Sequence, residues 1–88
     1  MPNIKQQKKR VRSAARQRLE NLRYRSTVKT LTRRLESAVE EGQADRVREA
    51  HLELQRWIDR AASRGALHQN TAARKKAQAA RIAAGSSS

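Results

Sequence analysis

The chain has no glycine before Gly42, and its one proline stands at position 2. Nothing between these points breaks a helix, and Glu40-Glu41-Gly42 supplies the first stop signal. The run predicts one helix over about residues 4–41. At a rise of about 1.5 Å per residue it spans on the order of 55 Å, roughly twice the width of a domain that a chain this short can build. Much of it must overshoot whatever it packs on.

The charge on that helix says what the overshoot meets. Residues 1–34 carry twelve Lys and Arg (Lys5, Lys8, Lys9, Arg10, Arg12, Arg16, Arg18, Arg23, Arg25, Lys29, Arg33 and Arg34) against one acid, Glu20. Like charges three and four apart on a helix repel by a few tenths of a kcal/mol per pair, so this end is expected to fray in isolation. A dense lattice of anions removes the repulsion, and a nucleic acid backbone is such a lattice. An anionic membrane would need bulky apolar residues opposite the bases, and Ile4, Val11, Ala14 and Ala15 are too few and too small.

The remaining composition narrows the choice. Eighty-eight residues allow one domain. With 36% hydrophobic residues, no Phe, one Trp and one Tyr, the core must be small and built from Leu, Val, Ile and Ala. A net charge of +13 calls for a polyanionic partner. The absence of Cys leaves no disulfide or thiolate metal site and suits a reducing cytosol. Neither a signal-peptide core nor an eighteen-residue apolar run is present, so neither export nor membrane spanning is expected.

Charge is segregated along the chain: residues 1–34 are net +11, residues 35–63 net −3 and residues 64–88 net +5. The basic ends are expected to grip the partner while the middle packs or faces solvent. Leu19, Leu22, Val28, Leu31, Leu35, Ala38 and Val39 recur at three and four and predict a core stripe. A second helix is expected over about 45–63, with Val47, Ala50, Leu54, Ile58, Ala61 and Ala62 inward and a stop at Arg64-Gly65. The short link makes the two helices antiparallel neighbours.

Residues 66–69 form the next connection, and Asn70 and Thr71 offer N-caps for a third helix over about 71–84. That helix is rich in Ala, with Ala73, Ala77, Ala80 and Ala84 on one side for close packing and Arg74, Lys75 and Arg81 outward. Residues 85–88 read as a disordered tail. The fold class is all-α: a single three-helix bundle with a long, protruding basic N-terminal helix.

Arg74-Lys75-Lys76, just inside the third helix, can contact phosphates together with the free N–H groups of a helix start. The alternative is a solvated basic face. His68 can reach a phosphate or base, or bond its own backbone. Tyr24 borders both the basic surface and the core stripe, whereas Trp57 reads as a core-edge packer. His51 lies among acids and reads as surface, and two distant His without Cys make no metal site. Hydroxyls at Ser13, Ser26, Thr27, Thr30 and Thr32 can donate to phosphate or sugar oxygens.

No Ser/His/Asp or paired-carboxylate arrangement has support, and a thin bundle leaves no room for a substrate pocket, so no enzyme, cofactor or small-molecule substrate is expected. The competing class is a DNA-binding architectural or nucleoid protein, which fits on charge but lacks an evident recognition helix. A coiled-coil module is opposed by spacing that fails after Val39 and at Leu52.

Residues 59–65 (DRAASRG) and 67–76 (LHQNTAARKK) closely resemble the bacterial small-subunit ribosomal protein numbered twenty. So do Asn3-Ile4-Lys5, Lys9-Arg10, Tyr24-Arg25-Ser26 and Val28-Lys29-Thr30-Leu31, and the likeness covers essentially the whole chain. It departs at Pro2, at Ala77 where Ser is expected, and in the Ser-rich end; Ala77 removes one hydroxyl. The resemblance implies a three-helix bundle in the cytoplasmic ribosome that binds small-subunit ribosomal RNA directly and helps it fold, beside other small-subunit proteins. It places Asn70, Thr71, Arg74, Lys75 and Lys76 against RNA, together with the basic residues of the first helix. With the readings above, the candidate RNA-binding set is Asn3, Lys5, Lys8, Lys9, Arg10, Arg12, Arg16, Arg18, Arg23, Arg25, Ser26, Lys29, Thr30, Arg33, His68, Asn70, Thr71, Arg74, Lys75, Lys76 and Arg81.

Overall fold

A computed structural model describes the backbone of residues 4–85 and the side chains of residues 12–85. Asn3 and residues 86–88 lie outside the described residues, as do the side chains of Lys5, Lys8, Lys9 and Arg10. The described chain is three helices: α1 (Ile4–Glu41), α2 (Ala44–Ser63) and α3 (Gln69–Ala84). The long first helix runs unbroken, as the absence of Gly and Pro dictates.

Both helix stops are glycines held left-handed, Gly42 at φ +69° and Gly65 at φ +78°. At the first, Gly42 N–H donates to Val39 O and Gln43 N–H to Ala38 O. At the second, Gly65 N–H donates to Ala62 O and Ala66 N–H to Ala61 O, again satisfying the last carbonyls of the helix. The chain reverses within two residues at Gly42-Gln43, which lays α2 antiparallel along the C-terminal half of α1. Asp45 in the first turn of α2 and Arg60 in its last turn match the helix dipole.

The core is one cluster. Val28, Leu31, Leu35 and Ala38 enter from α1, Val47, Leu54, Ile58 and Ala61 from α2, and Ala72 and Ala79 from α3. Ala66 and Leu67, expected only as part of a connection, are also buried and close the end of the cluster. Each large side chain contributes about 1.5–3 kcal/mol of burial. Tyr24 and Trp57 cap the cluster with ring centroids 5.7 Å apart at 53°, and the Arg60 guanidinium lies 5.1 Å from the Trp57 ring centre. Trp57 is thus a core-edge packer, and Tyr24 lies half-buried against it.

The cluster stops at Tyr24. Leu19 and Leu22, expected to extend the core stripe, are 51% and 56% exposed. Leu19 and Leu22 stand nine and six residues before Val28, which carries both around α1 off the buried stripe. The radius of gyration is 17.3 Å, against about 12 Å for a compact chain of this length, and the long dimension is 65 Å. The overshoot of α1 accounts for the difference.

Two expectations for α3 are corrected. The helix starts at Gln69, two residues earlier than expected, because His68 takes the N-cap position that had been assigned to Asn70 or Thr71. His68 Nδ1 accepts from Asn70 N–H at 3.1 Å, and Ala72 N–H donates to His68 O at 2.9 Å. The packed face is Ala72 and Ala79, with Ile82 and Ala83 beside them, while Ala73, Ala77, Ala80 and Ala84 are exposed. Ala66 and Leu67 are buried just before α3 and join its inward face in the same cluster.

Candidate nucleic-acid interface

Geometry divides the bases of α1 into two flanks. Arg18, Arg25 and Lys29 are spaced seven and four apart, and Arg33 follows four later, so all four lie on one flank. That flank faces α3, because Lys29, Thr32, Arg33 and Glu36 share an open hollow with Lys75, Gln78 and Ala79. Arg12, Arg16 and Arg23 recur at four and seven on the other flank, towards α2. There Arg16 lines a second hollow with Ser13, Gln17, Glu20, Asn21, Tyr24 and Arg64 from the end of α2. All the Arg and Lys of α1 from Arg12 onward are exposed, and the described salt bridges include none of them.

Unpaired cations hold their charge outward at no internal gain, which is how a phosphate-binding surface differs from an internally neutral one. Further along the α1–α2 face the pattern changes: Arg33, Arg34 and Arg46 stand among Glu41, Glu49 and Glu53. There Arg46 Nη1 lies 3.5 Å from Glu41 Oε2, and Arg48 Nη2 lies 3.8 Å from Asp45 Oδ1 on the same helix. The acids of the middle block therefore neutralise their own neighbourhood and leave the flank facing α3 as the stronger positive surface.

On α3 the expected trio does not act as a unit. The earlier helix start moves Arg74, Lys75 and Lys76 into the second turn, away from the N–H groups of the first. Arg74 is exposed, whereas Lys75 and Lys76 lay their stems half-buried over the core. Lys76 Nζ is 2.9 Å from Asp59 Oδ1 of α2. Asn70 is exposed, with its backbone N–H already donated to His68, and Thr71 is half-buried. With Nδ1 accepting that bond, a neutral His68 ring carries its proton on Nε2, a donor available outward. Arg81 is exposed one turn before the end of α3.

The hydroxyls of α1 are less available than sequence suggested. Thr30 Oγ1 donates to Ser26 O at 3.0 Å and Thr32 Oγ1 to Val28 O at 2.8 Å, so both protons are committed to their own helix. Ser26 is exposed. Sequence reasoning did not place Arg64 or Gln78 beside the bases of α1. Arg64 beside a helix-stop glycine carried a capping signal instead, and nothing in the sequence places Gln78 opposite Lys29.

Residues 2–83 match the sequence model of the family described as Ribosomal protein S20. The chain belongs to that family. A relative from Kocuria rhizophila, named small ribosomal subunit protein bS20, is 47% identical over 76 residues, covering 86% of this chain and 88% of its own. A protein of the same name from Picosynechococcus is 44% identical, covering 92% and 89% of the two chains. A third, from Mycobacterium, is 41% identical over 86% of this chain and 88% of its own. Among the described residues no helix is long and apolar enough to cross a membrane.

Proposed function

We propose that this chain is a structural component of the small ribosomal subunit that binds small-subunit ribosomal RNA directly and stabilises its fold during assembly. The observation that carries this reading is the flank Arg18, Arg25, Lys29 and Arg33, exposed and without internal ion pairs, which runs from the overshooting part of α1 to the side of α3. Family membership supplies the ribosomal context.

The mechanism is electrostatic. Cations on two packed helices bridge RNA segments that would otherwise repel, and each neutralised phosphate releases counterions. Double-stranded RNA is read through its shape, phosphates and 2′-hydroxyls, so most contacts fall on the backbone and few on bases. The role is non-catalytic, other small-subunit proteins are neighbours rather than substrates, and the chain works in the cytoplasmic ribosome. N-terminal bases beyond the described side chains, Lys5 to Arg10, extend the same grip.

The test is affinity of the purified chain for naked small-subunit ribosomal RNA across a salt series, with large-subunit ribosomal RNA and duplex DNA as competitors. Six phosphate contacts would give a log–log salt slope of about −4 to −5. A steep slope with strong preference for the small-subunit RNA is expected. Equal competition by duplex DNA would overturn the ribosomal reading in favour of a general nucleic-acid binder.

A further inference from the structure

The hollow between α1 and α3 carries an excess of positive charge. Its walls are Lys29, Thr32, Arg33 and Glu36 on one side and Lys75, Gln78 and Ala79 on the other, enclosing about 250 Å³. Three cations and one acid line it. Among the described residues none of the three cations has a carboxylate within 4.0 Å, although Glu36 shares the hollow. Arg33 also borders the hollow at the α1–α2 face, where Arg34 and Arg46 stand with Glu41, Glu49 and Glu53.

Packing brings these cations together and holds them. Lys75 is half-buried, between Ala72 and Ala79 of the packed face, so its stem is laid over the core and its ammonium is delivered to the rim. Lys29 follows directly after the buried Val28, and Arg33 one turn later, so α1 presents both from a rigid wall. Gln78 adds an amide donor. Thr32 adds none, since its proton goes to Val28 O. Donors converging from two rigid elements suit an anion with several acceptor oxygens.

We infer that this hollow is a composite phosphate site, in which Lys29 and Arg33 of α1 and Lys75 and Gln78 of α3 hold one phosphate group of an RNA backbone. Glu36 is the opposing charge that limits its affinity. This rests on the RNA-binding reading above and assigns it a defined anchoring point. Because the two lysines grip the same group, removing either loosens the other. Their effects on binding are therefore not independent, unlike those of two cations that meet separate phosphates.

The experiment uses the full chain with Lys29→Gln, Lys75→Gln, the double variant and Glu36→Gln. Each is titrated with small-subunit ribosomal RNA and with an unrelated RNA duplex across salt, after thermal melts confirm folding. Each lysine change is expected to weaken binding about tenfold, the scale of a charged hydrogen bond, and to flatten the salt slope by less than the roughly 0.7–0.9 of one whole phosphate contact, since the remaining cations still neutralise that phosphate. The double variant should weaken it by well under the hundredfold product, and Glu36→Gln should tighten it severalfold. Multiplying single effects, or Glu36→Gln leaving affinity unchanged or lower, would overturn the composite site. If Lys75→Gln fails to fold, Lys29→Gln and Glu36→Gln still decide, with opposite signs required. Loss of preference for small-subunit RNA with the coupling intact would instead sink the ribosomal reading and leave the phosphate site standing.

Discussion

Lys76 Nζ of α3 lies 2.9 Å from Asp59 Oδ1 of α2, a tie between residues seventeen apart in sequence. It is the described ion pair that joins two helices across the core rather than within a turn or across a link. Both side chains remain well exposed, 40% and 62%, so water screens the pair and its net worth is about 0.2–1 kcal/mol.

Asp59→Asn is therefore expected to lower stability by less than about 1 kcal/mol in urea denaturation. The same change frees the Lys76 ammonium and removes one acid, so on the proposed function affinity for ribosomal RNA should rise. A fall in RNA affinity with the melt unchanged would show that Lys76 is presented by Asp59 rather than restrained by it.

Removing the side chain of Leu35, 0% exposed, should cost about 2–5 kcal/mol as Leu35→Ala. The whole chain commands only about 4–13 kcal/mol at typical per-residue stabilities, so this variant should lose a large share of its stability and melt well below the parent chain. Leu22→Ala, at a position 56% exposed, should change stability by no more than about 0.5 kcal/mol. Trp57, the one tryptophan, reports both transitions by fluorescence. Comparable losses in the two variants would mean that Leu22 is covered in solution.

Leu22 also shows where the sequence stops being legible. Helix existence and the order of three helices follow from local rules, and the breakers at Gly42 and Gly65 fall where the structure ends α1 and α2. Burial, though, depends on where partners reach. Leu19 and Leu22 repeat at three with each other, but by their spacing from Val28 they have turned off the buried stripe of α1, so neither meets the core. In α3 the difficulty is different: Ala occupies both faces, so the hydrophobic pattern has several equivalent solutions and does not choose among them. Asp59 and Lys76 could not be paired from sequence for the same reason, since their meeting depends on that choice. The charge segregation, set residue by residue, was readable throughout. The hollow that joins Lys29 to Lys75 was not.

Gly65→Ala should destabilise by about 1–2 kcal/mol, the cost of placing a Cβ in the left-handed region. An added Cβ there meets nothing within 4 Å, so the penalty is conformational rather than a clash. Gly85, at φ −59°, is the control: Gly85→Ala should be neutral or stabilising by a few tenths of a kcal/mol. Equal melting temperatures for the two variants would argue against the left-handed stop at Gly65.

Amide hydrogen exchange should divide α1. Residues 12–20 are all exposed, whereas Val28, Leu31, Leu35 and Ala38 are buried. Free protein should exchange at least about tenfold faster over residues 13–22 than over 28–38, because only global opening frees the latter. Adding ribosomal RNA should protect the first segment and raise the far-UV helix signal. Equal protection without RNA would refute ordering on binding.

The unbroken course of α1 has one more consequence. Arg12 and Lys29 are seventeen residues apart on a single helix, so their separation along the axis is about 25 Å and their relative azimuth is set by the helical repeat. No hinge lies between them. The helix is thus a ruler: on the proposed function, RNA held at one end would have both the distance and the rotation at which a second strand meets the bundle set by α1.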